Sequence, residues 1–476
     1  MKRIFFCLAF SSLGFLFSCS SQVKKEDSPD AIPPSEPAKD TSLQKGIVMP
    51  KIKCKSDSSI NYALYLPKNY SAENKMPVIF LFDSHGAGIF PIEKYKELAE
   101  KYGYILAGSN NSKNGMSWEQ NEPQIKIFMN DVKERLNVDV KRIYVCGFSG
   151  GSRVASSVAI FEGGINCVIG MGAGFPSLSE AIHNRFDYIG FAGNEDFNIN
   201  ELIALSASMD KSPIRHQLIV FSGKHEWAPA EVAEDAFVWL EVNAMQNGLI
   251  SKNDTLIKSF ISKNEKELKA LDEKKKIFDE SLLCRKMINY LDGYADVSKF
   301  KTKFEELDKS ESLKKEIDRK AKLSQEEMVQ QENYRNNFVL KDLTWWSAEI
   351  KKLNQQAKNK SDEDRSAMNK RLLSYLSLLA YMNCSSDLQQ KQFGLLEAHL
   401  KIYEMAEPSN SEHQYIYAQL YAIKNDYKKV FFHLEKAMNL GFDDFQRLES
   451  DTVFSDLRKS PDYEKLFQKE KIDFQF

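Results

Sequence analysis

Chain-breaking residues are spread so unevenly along this sequence that they set its architecture. Of 14 prolines and 22 glycines, only Pro408, Pro461, Gly248, Gly293, Gly394 and Gly441 lie beyond residue 230. Glycine supplies left-handed backbone, and proline ends helices and interrupts sheet ladders. The long stretch almost without them is dense in Lys and Glu, with apolar residues such as Leu256, Ile257, Phe260 and Ile261 at helical spacing, so it is confined to helices. Between about Ile47 and Leu249 the pattern reverses. Short runs of Val, Ile and Phe alternate with longer amphipathic stretches, and glycine is frequent at the joints. That alternation predicts an α/β domain. Strands are predicted over Val48 to Lys53, Ile60 to Leu66, Val78 to Asp83, Ile105 to Gly108, Arg142 to Cys146, Cys167 to Met171, Tyr188 to Ala192 and Gln217 to Phe221. Helices are predicted over Glu93 to Lys101, Pro123 to Leu136, Gly150 to Phe161, Ile199 to Met209 and Pro229 to Met245.

A hydrophobic content of 42% is ample for buried cores, and a formal net charge of -2 gives no field to attract nucleic acid or an anionic membrane surface. No nucleic-acid partner is expected. The cysteines, at positions 7, 19, 54, 146, 167, 284 and 384, show no Cys-x-x-Cys or paired Cys/His spacing. Neither a zinc site nor a disulfide framework is expected, and Cys146 and Cys167, in apolar runs, read as core thiols.

At the N-terminus, Lys2 and Arg3 precede an apolar run, Ile4 to Phe17, too short to span a bilayer comfortably. This is the pattern of a cleaved export signal over residues 1–18. The run ends Leu16-Phe17-Ser18-Cys19, which resembles the bacterial lipobox, whose Cys is diacylated. The resemblance implies a lipid anchor at Cys19 and a place in the cell envelope. Ser20 stands where an Asp commonly retains lipoproteins at the inner membrane, so the same resemblance points to the outer one. Residues 19–45, polar and carrying Pro29, Pro33, Pro34 and Pro37, are expected to be a tether.

The chain thus divides into signal (1–18), tether (19–45), α/β domain (46–248), a charged helical segment (249–340) and a further all-helical domain (341–476). The charge runs of the helical segment are solvated faces. In the last domain, Ala418, Tyr421, Tyr427, Val430, Leu434 and Ala437 resemble a tetratricopeptide repeat unit. The following Asn439-Leu440-Gly441-Phe442, with Leu448, Asp451, Phe454, Leu457, Asp462, Tyr463 and Leu466, resembles the tail that closes such arrays. A more degenerate unit spans about Arg371 to Pro408, and a plain helical bundle is the alternative. The resemblance implies a protein partner for the helical half.

The residues that carry chemistry lie in the α/β domain. The strand Ile143 to Cys146 runs into Gly147-Phe148-Ser149-Gly150-Gly151 and then into the small-residue helical run Ser152 to Ala159. A strand, a sharp turn bearing Ser, and a helix N-terminus are what a serine nucleophile needs. Small residues admit the cramped backbone, and the helix end supplies partial positive charge. Upstream, the strand Val78 to Phe82 ends in Asp83-Ser84-His85-Gly86-Ala87-Gly88, which resembles the His-Gly-x-Gly loop of esterases and lipases that aims N–H groups at a developing oxyanion. Gly86 or Ala87 would be one donor and Gly150 the other, with His85 structural. His225, in Ser222-Gly223-Lys224-His225-Glu226-Trp227-Ala228-Pro229, follows a strand and precedes a helix, whereas His183 and His216 are poorly placed to reach Ser149. The segment Gly193-Asn194-Glu195-Asp196-Phe197-Asn198 offers two carboxylates to orient that His; its Gly-x-x-Asp-Phe-Asn pattern resembles the acid loop of exported α/β-hydrolases, which favours Asp196 and leaves Glu195 as the alternative. Ser109-Asn110-Asn111-Ser112 and Trp118 either line the substrate cleft or shape a loop.

The order Ser149, Asp196, His225, with the Gly-x-Ser-x-Gly elbow and the His-Gly-x-Gly loop, resembles the α/β-hydrolase family over about residues 47 to 247. The polyhydroxybutyrate depolymerase, feruloyl esterase and phospholipase/carboxylesterase-like branches share the Gly-x-His-x-Trp-x-Pro style of His loop. The resemblance implies an α/β-hydrolase sandwich with a mostly parallel sheet, serine hydrolysis without metal or organic cofactor, and an ester substrate. A soluble or polysaccharide-linked ester suits the short connections between strands, and peptidase activity is a minor alternative. The rival reading is a degenerate hydrolase module used as a lipoprotein scaffold.

Overall fold

The computed structural model describes residues 43–175 and 186–463. The segment expected to be an export signal, Cys7, Cys19, all but the last residues of the expected tether, His183 and Leu466 lie outside the described residues.

The strands are β1 (Val48–Lys53), β2 (Asn61–Tyr65), β3 (Met76–Phe82), β4 (Ile105–Ser109), β5 (Val138–Phe148), β6 (Cys167–Met171), β7 (Asp187–Gly193) and β8 (His216–Phe221). They form one eight-stranded sheet in the order β1-β2-β4-β3-β5-β6-β7-β8. Strands β3 to β8 run parallel, and one edge is extended by antiparallel pairing of β2 on β4 and of β1 on β2. Every residue of β3 is buried, as a central strand covered on both faces requires. Side chains alternate between two cores. Ile79, Leu81, Leu106, Cys146 and Ile169 point to one face, and Val78, Phe80, Phe82, Ala107, Val145 and Val168 to the other.

The helices of this domain are α1 (Ile89–Tyr102), α2 (Trp118–Arg135), α3 (Gly150–Phe161), α4 (Ile199–Met209) and α5 (Ala230–Gln246). Helix α2 begins five residues before Pro123 because Ser117 and Gln120 form a capping box there. Proline is tolerated in its second turn, where only the exposed Glu119 carbonyl loses a partner. Strand β5 likewise starts before Arg142, since Val138 already pairs with Met76.

Beyond residue 250 the described chain is helical: α6 (Asp254–Glu273), α7 (Ile277–Leu291), α8 (Ser298–Asp308), α9 (Glu311–Asn337), α10 (Leu343–Ala357), α11 (Glu363–Gln389), α12 (Phe393–Ala406), α13 (Glu412–Ile423), α14 (Tyr427–Asn439) and α15 (Phe445–Ser450), then a single 3₁₀ turn. With glycine so scarce, polar caps mark the starts. The side chains of Asn253, Ser310, Asp342, Asp362, Asp426 and Asp444 each accept an N–H of the first turn. Three inter-helix turns place Lys275, Lys391 and Asn425 in the left-handed region.

Helices α6 to α8 belong to the core of the α/β domain: Ile257, Phe260, Cys284, Met287, Tyr290 and Phe300 pack in the same cluster as Ile79 and Trp239. Tyr290 meets Trp239 edge-on at 4.7 Å and stacks on Phe260. The charged faces of this segment are largely exposed. Later helices form separate cores, one around Tyr334, Trp346, Leu376 and Leu400 and a last one around Tyr415, Val430 and Leu434. Ala418, Val430, Leu434 and Ala437 are buried between the α13–α14 pair, with Phe442, Leu448, Phe454, Leu457 and Tyr463 closing its end, whereas Tyr427, the first residue of α14, is exposed. The cysteines at 54, 146, 167, 284 and 384 are buried free thiols. No described helix is long and apolar enough to cross a membrane.

Candidate active site

Four loops gather at the C-terminal edge of the parallel strands. They follow β3 (residues 83–88), β5 (149–151), β7 (194–198) and β8 (222–227). Strand β5 turns into α3 within one residue, and Ser149 takes φ 55° and ψ −121° there, backbone that an L-residue rarely adopts. The turn is held by the Ser149 N–H donating to the Met171 carbonyl at 2.8 Å. Its flanking glycines are a steric necessity: a Cβ on Gly147 would lie 2.1 Å from the Gly151 carbonyl oxygen, and one on Gly151 would lie 1.9 Å from that of Phe82. Strain and close approach together push the Ser149 side chain out over the sheet edge.

There it meets His225. The Ser149 hydroxyl lies 2.9 Å from His225 Nε2, and His225 Nδ1 lies 2.9 Å from Asp196 Oδ1. Asp196 is almost wholly buried, and the same oxygen accepts the Asn198 N–H at 2.8 Å. The imidazole is gripped between two rings, Phe148 at 4.7 Å and Phe197 at 4.3 Å between centroids. Behind it, Gly172 at φ +68° leaves room for the ring, since a Cβ there would stand 3.0 Å from His225 Cε1. The alternative carboxylate, Glu195, is turned to Lys370 at 2.6 Å. His216 is far along β8 at its entrance, beside Asp210 and the Ile214 carbonyl.

The loop after β3 is built around Asp83. Its Oδ1 accepts the His85 N–H at 2.8 Å and its Oδ2 accepts Trp227 Nε1 at 3.1 Å, tying this loop to the one that carries His225. Burial acts to raise the Asp83 pKa, but hydrogen bonds from His85 and Trp227 outweigh it and hold the carboxyl below its ordinary value. Its contact with Asp83 raises the pKa of His85 against the effect of desolvation, with Glu412 and Asp444 adding to the rise. The His85 ring is exposed and touches neither Ser149 nor His225. The Gly86 N–H closes a turn on the Asp83 carbonyl at 3.2 Å, while the N–H groups of Ala87 and Gly150 have no acceptor among the described residues.

Of the polar residues expected beside the cleft, Asn110 braces the loop, accepting the Gly88 N–H and donating to the Pro50 carbonyl. The Ser109 hydroxyl accepts the Asn111 and Ser112 N–H groups, Asn111 accepts the Asn61 N–H, and Trp118 packs on Phe161. These residues shape loops. Asn114, which sequence reasoning passed over, lies against the elbow instead, its Oδ1 1.7 Å from where a Gly150 Cβ would be. Phe148, Phe197, Asp83 and Trp227 were visible as members of the motifs, but their packing roles had no sequence signal. Among the described residues no group of three or more His, Cys, Asp or Glu is arranged to hold a metal ion.

Sheet order, the elbow after the central strand β5 and the chain order of Ser149, Asp196 and His225 define an α/β-hydrolase sandwich, followed by an all-helical region. No protein-family model matches the chain, and no curated protein matches it. Among solved structures, it is similar to S-formylglutathione hydrolase from Staphylococcus aureus at 12% identity and a TM-score of 0.36, over 42% of this chain and 98% of that one. It is also similar to an esterase of Pyrobaculum calidifontis, at 12% identity and 0.34, over 43% and 88% of the two chains. A feruloyl esterase module from Clostridium thermocellum matches at 12% identity and 0.34, over 42% and 88%.

Proposed function

We propose that this protein is a serine hydrolase acting on carboxylic esters, with Ser149 as nucleophile, His225 as general base and acid, and Asp196 as the group that orients it. The observation that carries the reading is the unbroken chain of contacts from the Ser149 hydroxyl through both imidazole nitrogens to a buried carboxylate, at 2.9 Å each. His225 takes the hydroxyl proton as Ser149 Oγ attacks the acyl carbon. The carbonyl electron pair moves to oxygen, where the Gly150 and Ala87 N–H groups hold it. Collapse expels the alcohol, which leaves with the proton from His225, and water attacking the acyl-enzyme by the same route frees the acid and restores Ser149.

The test is hydrolysis of p-nitrophenyl acetate together with labelling by a fluorophosphonate probe. Wild type turns over and labels; Ser149→Ala loses labelling and at least about 10³-fold in kcat. Equal labelling of wild type and Ser149→Ala would overturn the assignment. The substrate we favour is a water-soluble or polysaccharide-linked ester, which suits the short connections between most of the strands. We further propose that Cys19 carries acyl chains that hold the enzyme at the envelope. If so, Cys19→Ala shifts the protein from the membrane pellet to the soluble fraction, and an unchanged distribution counts against the anchor.

A further inference from the structure

The loops that carry the acid and the base are tied together at Asn194. Its N–H donates to the Phe221 carbonyl at 2.7 Å, its Oδ1 accepts the Gly223 N–H at 3.1 Å, and the neighbouring Glu195 N–H donates to the Gly223 carbonyl at 2.9 Å. The remaining backbone group of this node, the Asn194 carbonyl, accepts from the helical half of the chain: Arg371 Nη1 of α11 reaches it at 2.7 Å. The other edge of the same guanidinium is engaged by Glu327 of α9, with Nε and Nη2 at 2.9 and 2.6 Å from its carboxylate oxygens. The Glu327 side chain is completely buried and that of Arg371 nearly so. The same two helices extend the contact. Gln331 Nε2 donates to the Phe197 carbonyl at 3.3 Å, the Ser324 hydroxyl donates to Asn200 Oδ1 at 2.8 Å, and Lys370 pairs with Glu195.

A buried ion pair is a poor way merely to join two helices, because desolvation offsets much of its attraction and an apolar pair of similar volume serves as well. An apolar pair offers no donor to a carbonyl on a neighbouring loop. Arg365 and Glu326 show the contrast: they also bridge α11 and α9, at 2.7 and 3.1 Å, but at the surface and without touching the acid loop.

We propose that Arg371, oriented by Glu327, is a positioning residue of the hydrolase. From the helical half it holds the node between the two loops so that Asp196 stays against His225, which makes that half a working part of the active site. This rests on the serine-hydrolase reading above. Arg371 touches no reacting atom, so its removal acts on the alignment of the triad, where a displacement of about 1 Å lowers turnover on the order of 10²-fold.

The experiment uses the full chain with p-nitrophenyl acetate and a fluorophosphonate. The double variant Glu327→Gln/Arg371→Gln leaves no lone buried charge, and glutamine at 371 is too short to reach Asn194. Its kcat is expected to fall roughly 10- to 100-fold with KM within about two-fold of wild type, and the labelling rate of Ser149 to fall in parallel. Arg371→Lys, which keeps the charge but not the fork, is expected several-fold below wild type, and Arg365→Gln unchanged. Wild-type kcat in the folded double variant overturns the proposal, as does a loss of kcat that Arg365→Gln shares. Should the double variant fail to fold, wild-type kcat in Arg371→Lys overturns it equally. A wild-type protein that neither hydrolyses the ester nor labels at Ser149 defeats the serine-hydrolase reading itself, an outcome separate from these.

Discussion

At Gly172 the backbone turns through φ +68° directly behind the imidazole, and the rings of Phe148 and His225 fill the space a side chain would need. An alanine there is strained twice, in left-handed backbone and in a Cβ 2.9 Å from Phe148 Cε2 and 3.0 Å from His225 Cε1, so the Phe148 and His225 rings have to yield together. With Phe148 and Phe197 packed on the imidazole at 4.7 and 4.3 Å, a shift of the ring changes the 2.9 Å contact of Nε2 with Ser149. Gly172→Ala is therefore expected to lower kcat on p-nitrophenyl acetate by roughly 10²-fold with the fold retained, measured beside a circular dichroism spectrum. Wild-type turnover would show that the ring has slack the packing does not suggest.

Strand β7 and helix α5 meet at a buried polar joint. Asp187 accepts from Asn243 Nδ2 near Arg215, whose guanidinium lies 4.3 Å from the Trp239 ring centroid. Burial pushes the Asp187 pKa up to about 6, with Arg215 only partly opposing it. The sign follows from linkage. A carboxyl whose folded pKa exceeds its unfolded value near 3.8 binds more protons when folded, so stability falls as pH rises from about 4 to about 6 and stays lowered above that. Asp187→Asn is expected to match wild type near pH 4 and to gain about 1–3 kcal/mol at pH 8, by urea denaturation at the two pH values. A gain equal at both would locate the effect elsewhere. The inter-helix turns invite a second change. Lys391 between α11 and α12 sits at φ 58°, where glycine avoids the Cβ clash, so Lys391→Gly is expected to stabilise by about 0.5–1 kcal/mol.

Across the whole molecule, the apolar core of the sheet continues without a break into α6, α7 and α8, whereas α13 and α14 close a last core apart from it, α13 also packing Ile416 and Leu420 into the core before. Cooperative units follow shared burial. Amides of α7 around Cys284 to Leu291 are expected to exchange hydrogen as slowly as those of β6, and those of α13 and α14 through a separate, lower-energy opening. Hydrogen exchange read by mass spectrometry tests this, and one common rate for all three regions would contradict it. The helical half therefore divides by packing: its first helices are part of the α/β domain's core, and α9 and α11 reach its acid loop.

What the sequence determined alone is whatever depends on neighbours in the chain. The period-2 and period-3.6 patterns placed all eight strands and the helices between them, and the glycine and proline census foretold the helical remainder. The elbow was legible because its strain must be relieved by small residues within two positions of Ser149, and the order of Ser149, Asp196 and His225 followed from the order of the strands. Tertiary structure decided what depends on direction in space. Glu195 and Asp196 are adjacent and chemically alike, yet one faces Lys370 and the other His225. Gly86 and Ala87 are adjacent and both small, yet only the first has its N–H closed into a turn. Arg371 lies 177 residues from the carbonyl it holds, and no local pattern marks it among the other lysines and arginines of the helical half. Its role exists only because α9 and α11 fold back onto the loop, and a charge on a helix face reads the same in sequence whether that face meets water or an active site.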